Sequence, residues 1–339
     1  MSAQLLAVWV LVVAVGLLLF HFVGYPLLVQ ILARLRSQSP LVVGASNTEQ
    51  LPSVTLVIAA YNEERVIARK LVNSLALDYP QELLQIVVVS DGSTDRTHEI
   101  VSGFADQGVV ALHDPPRSGK SAALNRAVAV AAGDIVLFSD ANNDFNPVAV
   151  RMMVRHFADQ RVGGVCGRKS IVAAPDRQAS EGDSLYWRYE SAIKKAESDL
   201  GIMTTADGEI FAIRRALWHP LPADVINDDA EITFGLVHDG YRIVYELDAV
   251  SSELASARLE DDFRVKVRMI AGGFQTVQRH WRQLLPPRSA FAWAFLSHKL
   301  LRWLTPFFLV AVWLASLMLA ASPIGALLLG AQVLFYGVA

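Results

Sequence analysis

Apolar residues are distributed along this chain in three different ways. Residues 5–35 are apolar almost throughout, interrupted by His21, a few glycines, Pro26, Gln30 and, near the end, Arg34. A helix rises about 1.5 Å per residue, so about 20 apolar residues cross a hydrocarbon layer of about 30 Å. The run therefore predicts a membrane-spanning helix over residues 1–36. Only residues 1–4 precede it, whereas Arg34 and Arg36 follow it. Positive charge collects on the cytoplasmic side of such helices, so the chain beyond residue 36 is expected in the cytoplasm. A secretory signal peptide would carry its charge ahead of the apolar run. Residues 37–52, with Pro40 and Pro52, read as a linker.

From residue 54 onward short apolar runs alternate with helical periodicity. Strands are predicted at 54–60, 86–90, 109–113 and 135–138. Helices are predicted from residue 62 or 63 to 75, at 95–104 and at 121–132. This alternation means βαβ units and a mostly parallel sheet flanked by helices, an α/β fold. From 148 to 218 the pattern loosens, with a helix at 148–157, a strand at 163–170 and an amphipathic helix at 184–198. A helix at 228–239, a strand at 241–245 and a basic helix at 264–281 follow. Residues 286–303 mix aromatic and aliphatic side chains with His298, Lys299 and Arg302, as an amphipathic helix lying in a membrane interface does. Residues 304–339 predict two more spans, at 305–321 and 323–339. The second ends without a polar flank, which reads as a chain cut short of its natural end.

Composition supports the membrane reading: of 339 residues, 53% are hydrophobic. The formal net charge of −3 gives no basic excess, so nucleic acid is not an expected partner. The single cysteine, Cys166, excludes an internal disulfide and a cysteine-based zinc cluster.

Ligands of open α/β sheets sit at the carboxyl ends of the strands, and four loops of this chain fall there. They are Ala60-Tyr61-Asn62-Glu63-Glu64, Ser90-Asp91-Gly92-Ser93-Thr94-Asp95, Arg117-Ser118-Gly119-Lys120-Ser121, and Asp140-Ala141-Asn142-Asn143-Asp144. Taken singly, Asp-Gly and Asn are turn and cap residues. Taken together they crowd acidic groups onto one rim, which calls for a cation or a hydrogen-bonding ligand. Asp140 and Asn142 offer hard oxygens of the kind that hold Mg²⁺ or Mn²⁺. Gly119-Lys120-Ser121 is not a Walker loop, because the position five residues before Gly119 is Asp114. Lys120 still places a cation at a helix start, where a phosphate is favoured.

The order Tyr-Asn-Glu-Glu, Asp-Gly-Ser-Thr-Asp, Gly-Lys, Ser-Asp-Ala-Asn and Asn227-Asp228-Asp229 resembles the family 2 inverting glycosyltransferases, in particular the membrane synthases of cellulose, hyaluronan and poly-N-acetylglucosamine. The resemblance implies a GT-A nucleotide-diphospho-sugar transferase fold over residues 53–285. It implies that Tyr61, Glu63 and Asp91 hold the nucleoside of a UDP-sugar, that Lys120 lies by the diphosphate, and that Asp140 and Asn142 serve the Mg²⁺ or Mn²⁺ ion. Asn142 stands where the family's second metal-motif aspartate would be. Asp229 matches the general base, while Asp228 reads as a helix cap. Asp207, Gly208 and Glu209 fall where the acceptor sugar binds. Arg268 matches an acceptor-site arginine, with Val265 and Met269 in place of that motif's Gln and Trp. The implied reaction is inverting transfer onto a growing polysaccharide, forming a β-linkage at the cytoplasmic membrane face, with a partner or oligomer completing any export path. The alternatives are single addition to a polyprenyl-phosphate or glycolipid acceptor, and a non-catalytic nucleotide-binding subunit.

Overall fold

The computed structural model describes residues 2–36, 51–114, 116–172, 181–254 and 259–338, so nearly all of the expected linker lies outside the described residues. The chain divides into two compact units, residues 33–282 and residues 1–32 with 283–339.

The first unit is built on strands β1 (Val54–Ala60), β2 (Leu84–Asp91), β3 (Val109–Asp114), β4 (Ile135–Asp140), β5 (Asn143–Phe145), β6 (Val162–Val172), β7 (Phe211–Arg214) and β8 (Arg242–Leu254). They form one sheet in the order β3-β2-β1-β4-β7-β6-β8-β5. Its helices are α2 (Ile67–Leu75), α3 (Thr97–Ser102), α4 (Lys120–Ala129), α5 (Ala149–Val154), α6 (Glu181–Leu200), α7 (Asp228–His238) and α8 (Leu259–Arg279).

β1 is apolar on both faces because both are covered, as central strands of parallel sheets require. Leu56 and Ile58 pack with Ile67, Leu71 and Leu137 on one side. Val57 packs with Ala123, Leu124, Ala127 and Phe138 on the other. Each such side chain stabilises the fold by about 1.5–3 kcal/mol through burial. The parallel registers Ala60↔Ser90 and Ala59↔Asp140 bring the carboxyl ends of β1, β2 and β4 level. The loops that follow them are therefore neighbours.

The mixed half of the sheet departs from the sequence pattern. β5 and β7 were not predicted, and β7 runs antiparallel to both β4 and β6. β8 continues to Leu254, well beyond the expected 241–245, because its second half pairs with β6 and β5. α2 starts at Ile67, later than expected. The backbone N–H groups of Glu63 and Glu64 are taken by Thr97 Oγ1 (2.7 Å) and Asp95 Oδ2 (3.1 Å), which holds the preceding residues in a loop.

In the second unit, helix α1 (Ala3–Leu35) and helix α10 (Ala290–Met318) are each long and apolar enough to cross a membrane. The short α9 (Trp281–Leu284) precedes α10, and α11 (Pro323–Val338) follows it. Ala7, Leu11 and Ala14 of α1 pack on Val312 and Ala315 of α10, small residues that let the helices approach. The expected division between an interfacial helix ending at 303 and a span starting at 304 is not a helix boundary. Ser289 caps the start of α10 by accepting from Ala292 N, and the helix passes through a π-turn at Leu296–Leu300 and on through Pro306. A proline forfeits one backbone bond, which bends a helix more readily than it ends one.

Candidate active site

The loops after β1 and β2 clasp each other. Asn62 adopts a left-handed φ of 57°, a conformation asparagine tolerates better than most residues. In it Asn62 Oδ1 accepts from Thr94 N at 2.8 Å. Gly92, at φ +67°, abuts the next loop so closely that a Cβ would stand 2.5 Å from Arg117 N. Tyr61 lies at the rim, its ring 3.7 Å from the Arg117 guanidinium. Burial, then the charges of Asp140 and Asp95, push the Glu63 carboxyl above its usual range.

Asp91 is almost fully buried and heavily engaged. It accepts from Gly119 N (2.7 Å), Ser118 N (3.2 Å) and the Arg126 guanidinium (2.7 Å). In this arrangement Asp91 shapes the turn from which α4 begins, and so positions Lys120. The Lys120 ammonium lies 3.0 Å from Asp140 Oδ1 and 3.3 Å from Asp228 Oδ2. Burial opposes the charge on Asp140, but Lys120, by its charge and its hydrogen bond, and then Lys169 hold this carboxyl below the usual range. Asp228, read from the sequence as a cap, turns instead toward Lys120, and no side chain caps this helix start.

Asp229 stands in the first turn of α7 and accepts from Ala230 N at 2.7 Å. Burial, then the neighbouring Asp228, push its carboxyl up to about 7, although Lys120 draws it down. Gly208 lies beside it: a Cβ there would stand in ordinary van der Waals contact with the Asp229 Cβ, at 3.4 Å. On the far side, α8 packs closely on Asn227: a Cβ at Gly272 would come within 2.3 Å of Asn227 Oδ1, and the Asn227 side chain would have to shift. Asn227 Nδ2 in turn donates to Met269 O at 3.0 Å.

The Asp207-Gly208-Glu209 stretch is tied to residues that the sequence did not single out. Asp207 Oδ1 accepts from the buried Lys194 of α6 at 2.6 Å. Glu209 binds the Lys169 ammonium and accepts from Ser251 Oγ at 2.8 Å. Burial pushes the Glu209 carboxyl up to about 7 against the pull of Lys169. Asn143 joins this stretch to the end of β4. It accepts from Lys70 Nζ (2.7 Å) and Ser139 Oγ (2.9 Å), and donates to Glu209 O (2.9 Å) and Ser251 Oγ (2.8 Å). Asn142 Nδ2 donates to Glu253 Oε1 at 2.6 Å.

Thus Lys120, Asp140, Asp228 and Asp229 converge, Glu63 lies within their electrostatic reach, and Asp207, Gly208 and Glu209 border them. Arg268 stands exposed on α8 and takes no part in these bonds among the described residues. Arg117, Arg126, Lys169, Lys194 and Glu253 were missed; only Arg117, inside the Gly-Lys loop, carried a local signal. The Asp140 carboxylate and the Asn142 oxygen are the hard donors that Mg²⁺ or Mn²⁺ takes. Among the described residues no three His, Cys, Asp or Glu side chains gather to hold a metal on their own.

Residues 55–219 match the family model for glycosyl transferase family 2. They form a family 2 glycosyl transferase domain. Similar proteins include the poly-beta-1,6-N-acetyl-D-glucosamine synthase of Staphylococcus aureus, 27% identical over 241 residues, which are 69% of this chain and 57% of that protein. The beta-monoglucosyldiacylglycerol synthase of Synechocystis is 29% identical over 260 residues, 72% of this chain and 52% of its own length. The chain thus spans little more than half the length of these curated relatives. Among solved structures, the mannosyltransferase PcManGT of Pyrobaculum calidifontis, in complex with GDP-Man and Mn²⁺, superposes with a TM-score of 0.76 at 27% identity, covering 96% of this chain and 92% of that one. The mixed sheet with its flanking helices is accordingly a glycosyltransferase fold of the GT-A kind, with apolar helices at both ends of the chain.

Proposed function

We propose that this family 2 glycosyltransferase moves a sugar from a nucleoside diphosphate to an acceptor hydroxyl with inversion at the anomeric carbon, in the presence of Mg²⁺ or Mn²⁺. The carrying observation is one ammonium, Lys120, set between the Asp140 and Asp228 carboxylates, with the Asp229 carboxyl next to Asp228. Asp140 is kept ionised by Lys120, while Asp229 is lifted to about 7 by burial and Asp228. A group that titrates near neutrality suits a general base, worth about 10²–10⁴-fold in rate. Asp229 takes the acceptor's proton as the new bond forms. Lys120 offsets the negative charge that gathers on the departing diphosphate. Asp140 and the Asn142 oxygen would hold the divalent cation, which when bound supplies further charge neutralisation at that diphosphate. With a single base and no second protein nucleophile, the reaction is one displacement, and an α-linked donor gives a β-linked product.

The Tyr61 ring, backed by Arg117, offers a flat face for the donor's base. The donor is read as a UDP-sugar on the motif order, while the GDP-Man in the similar mannosyltransferase supports a guanosine donor as the rival. The acceptor is read as a growing polysaccharide, in keeping with the poly-N-acetylglucosamine synthase relative. Single addition to a lipid-linked acceptor is the second reading. It is favoured by the isolation of Arg268, by Val265 and Met269 beside it, and by the diacylglycerol-sugar synthase relative. The protein is read as a cell-membrane protein held through α1 and α10, and Arg34 and Arg36 support a catalytic unit on the cytoplasmic side.

Release of UDP or GDP from a panel of sugar nucleotides, with and without Mn²⁺, tests the donor and the cation. Asp229→Asn is expected to bind nucleotide normally and to lose about 10²–10⁴-fold in transfer. Unchanged transfer by this variant refutes the base assignment. A product ladder against a single band on a gel separates polymerisation from single addition.

A further inference from the structure

An amide side chain has two nearly isosteric ends with opposite chemistry. Its oxygen can face a cation or a hydroxyl donor, and its nitrogen cannot ligate a metal. Asn142, beside Asp140 at the end of β4, meets this ambiguity, and Glu253 resolves it. Glu253 stands on β8 opposite Asn143 of β5 and beside Ile171 of β6. Its Oε1 accepts from Asn142 Nδ2 at 2.6 Å. Its Oε2 is bound by the Lys169 ammonium, which also binds Glu209 Oε2. Because Lys169 occupies the second oxygen, Glu253 offers Asn142 only an acceptor. The amide is thereby held with its nitrogen toward Glu253 and its oxygen left for a ligand. The same contact excludes a carboxylate at this position while Glu253 is present, since two anionic oxygens would then stand at hydrogen-bond distance.

We infer that Glu253, itself held by Lys169, is a positioning residue for the divalent cation: it fixes the orientation of the Asn142 amide so that the oxygen, not the nitrogen, is presented at the metal-side rim. This rests on the metal-dependent reading above. The pair is a unit, and changing one member alone is worse than changing both.

The test is a double-substitution cycle on the full chain in detergent, read by Mn²⁺ electron paramagnetic resonance with UDP and, separately, with GDP. Glu253→Gln gives Asn142 a partner that can itself flip, and is expected to weaken Mn²⁺ binding by about 10–100-fold, as the loss of an orienting partner does. Asn142→Asp in the Glu253 background is expected to lower the thermal midpoint of the metal-free protein. Asn142→Asp combined with Glu253→Gln restores one donor and one acceptor in reversed order, so both the midpoint and Mn²⁺ affinity recover. Wild-type affinity in Glu253→Gln overturns the inference. So does an Asn142→Asp effect that is the same in both backgrounds, or a loss of thermal stability without any change in Mn²⁺ binding. If the unaltered protein binds no Mn²⁺ with either nucleotide, the metal-dependent reading itself falls.

Discussion

In the half of the sheet formed by β3, β2, β1 and β4, the chemically active side chains stand at the carboxyl ends of the strands and in the connections that follow them. In the half formed by β7, β6, β8 and β5, they stand on the strands, on α6 and in the segment between α6 and β7. The first half is a set of parallel strands in level register, so any loop residue after them arrives at one rim. There, Asp91 is met by Ser118, Gly119 and Arg126 from a single connected stretch. The second half mixes parallel and antiparallel pairs, and its charges are matched between strands, α6 and the segment before β7: Lys169 with Glu209 and Glu253, Lys194 with Asp207. The difference shows how one site can be assembled from a rim made by strand-end loops and a wall made by buried ion pairs. The first is expected to tolerate change in partners outside its loops, whereas the second is expected to lose stability when either member of a pair is lost.

The sharpest way to break this contrast is Lys194→Met. It strands the Asp207 carboxylate beside the buried Cys166, and loss of one member of a buried pair costs about 3–5 kcal/mol. Denaturant unfolding should show that loss, and Lys194→Met with Asp207→Asn should recover part of it. On the loop side, Arg126→Ala removes one charged hydrogen bond to Asp91, worth about 1.5–3 kcal/mol. Its effect should fall on donor KM more than on stability, because the turn carrying Lys120 loosens while the sheet stays intact. An equal loss of stability in the two variants would erase the distinction between the halves.

The pH dependence sharpens the same comparison. As the proposed base, Asp229 acts deprotonated, and burial with the neighbouring Asp228 pushes its carboxyl up to about 7. Hence kcat/KM should rise with pH, about tenfold per unit below neutrality, and level off above it. Lys120 draws this carboxyl down, so Lys120→Met should move the rising limb to higher pH; a limb that stays in place would show that the loop cation does not reach the base. The smallest effect is expected for Arg268→Ala. As an exposed substitution it should change stability by no more than about 0.5 kcal/mol. Donor hydrolysis without acceptor should be unchanged, while a lowered rate of transfer would return Arg268 to the acceptor side.

The rim at the ends of β1, β2 and β4 was legible because its signals are local. Asp-Gly, Gly-Lys and Ser-Asp-Ala-Asn each follow an apolar run short enough to be a buried strand, and topology alone brings such loops together. Even there the assignment of roles needed coordinates. Asp91 proves to shape the Gly119–Lys120 turn, and Asp228 pairs with Lys120 instead of capping α7. In the mixed half Lys169 and Glu253 are separated by 84 residues and lie in strands whose alternation predicts only which face is covered. Lys194 occupies an ordinary position on an amphipathic helix until Asp207 is placed beneath it.

By itself the sequence determined the apolar runs at both ends, the βαβ alternation between them and the strand-end loops that carry chemistry. All of these follow from the period of apolar residues and from turn-forming dipeptides, which act over a few residues. Only the tertiary structure decided which charges neutralise which, why an amide is held at position 142, and that the proposed interfacial segment is the beginning of α10. Ion pairing and helix continuity depend on distances between atoms remote along the chain, and the pattern of apolar and polar positions records burial without recording the partner.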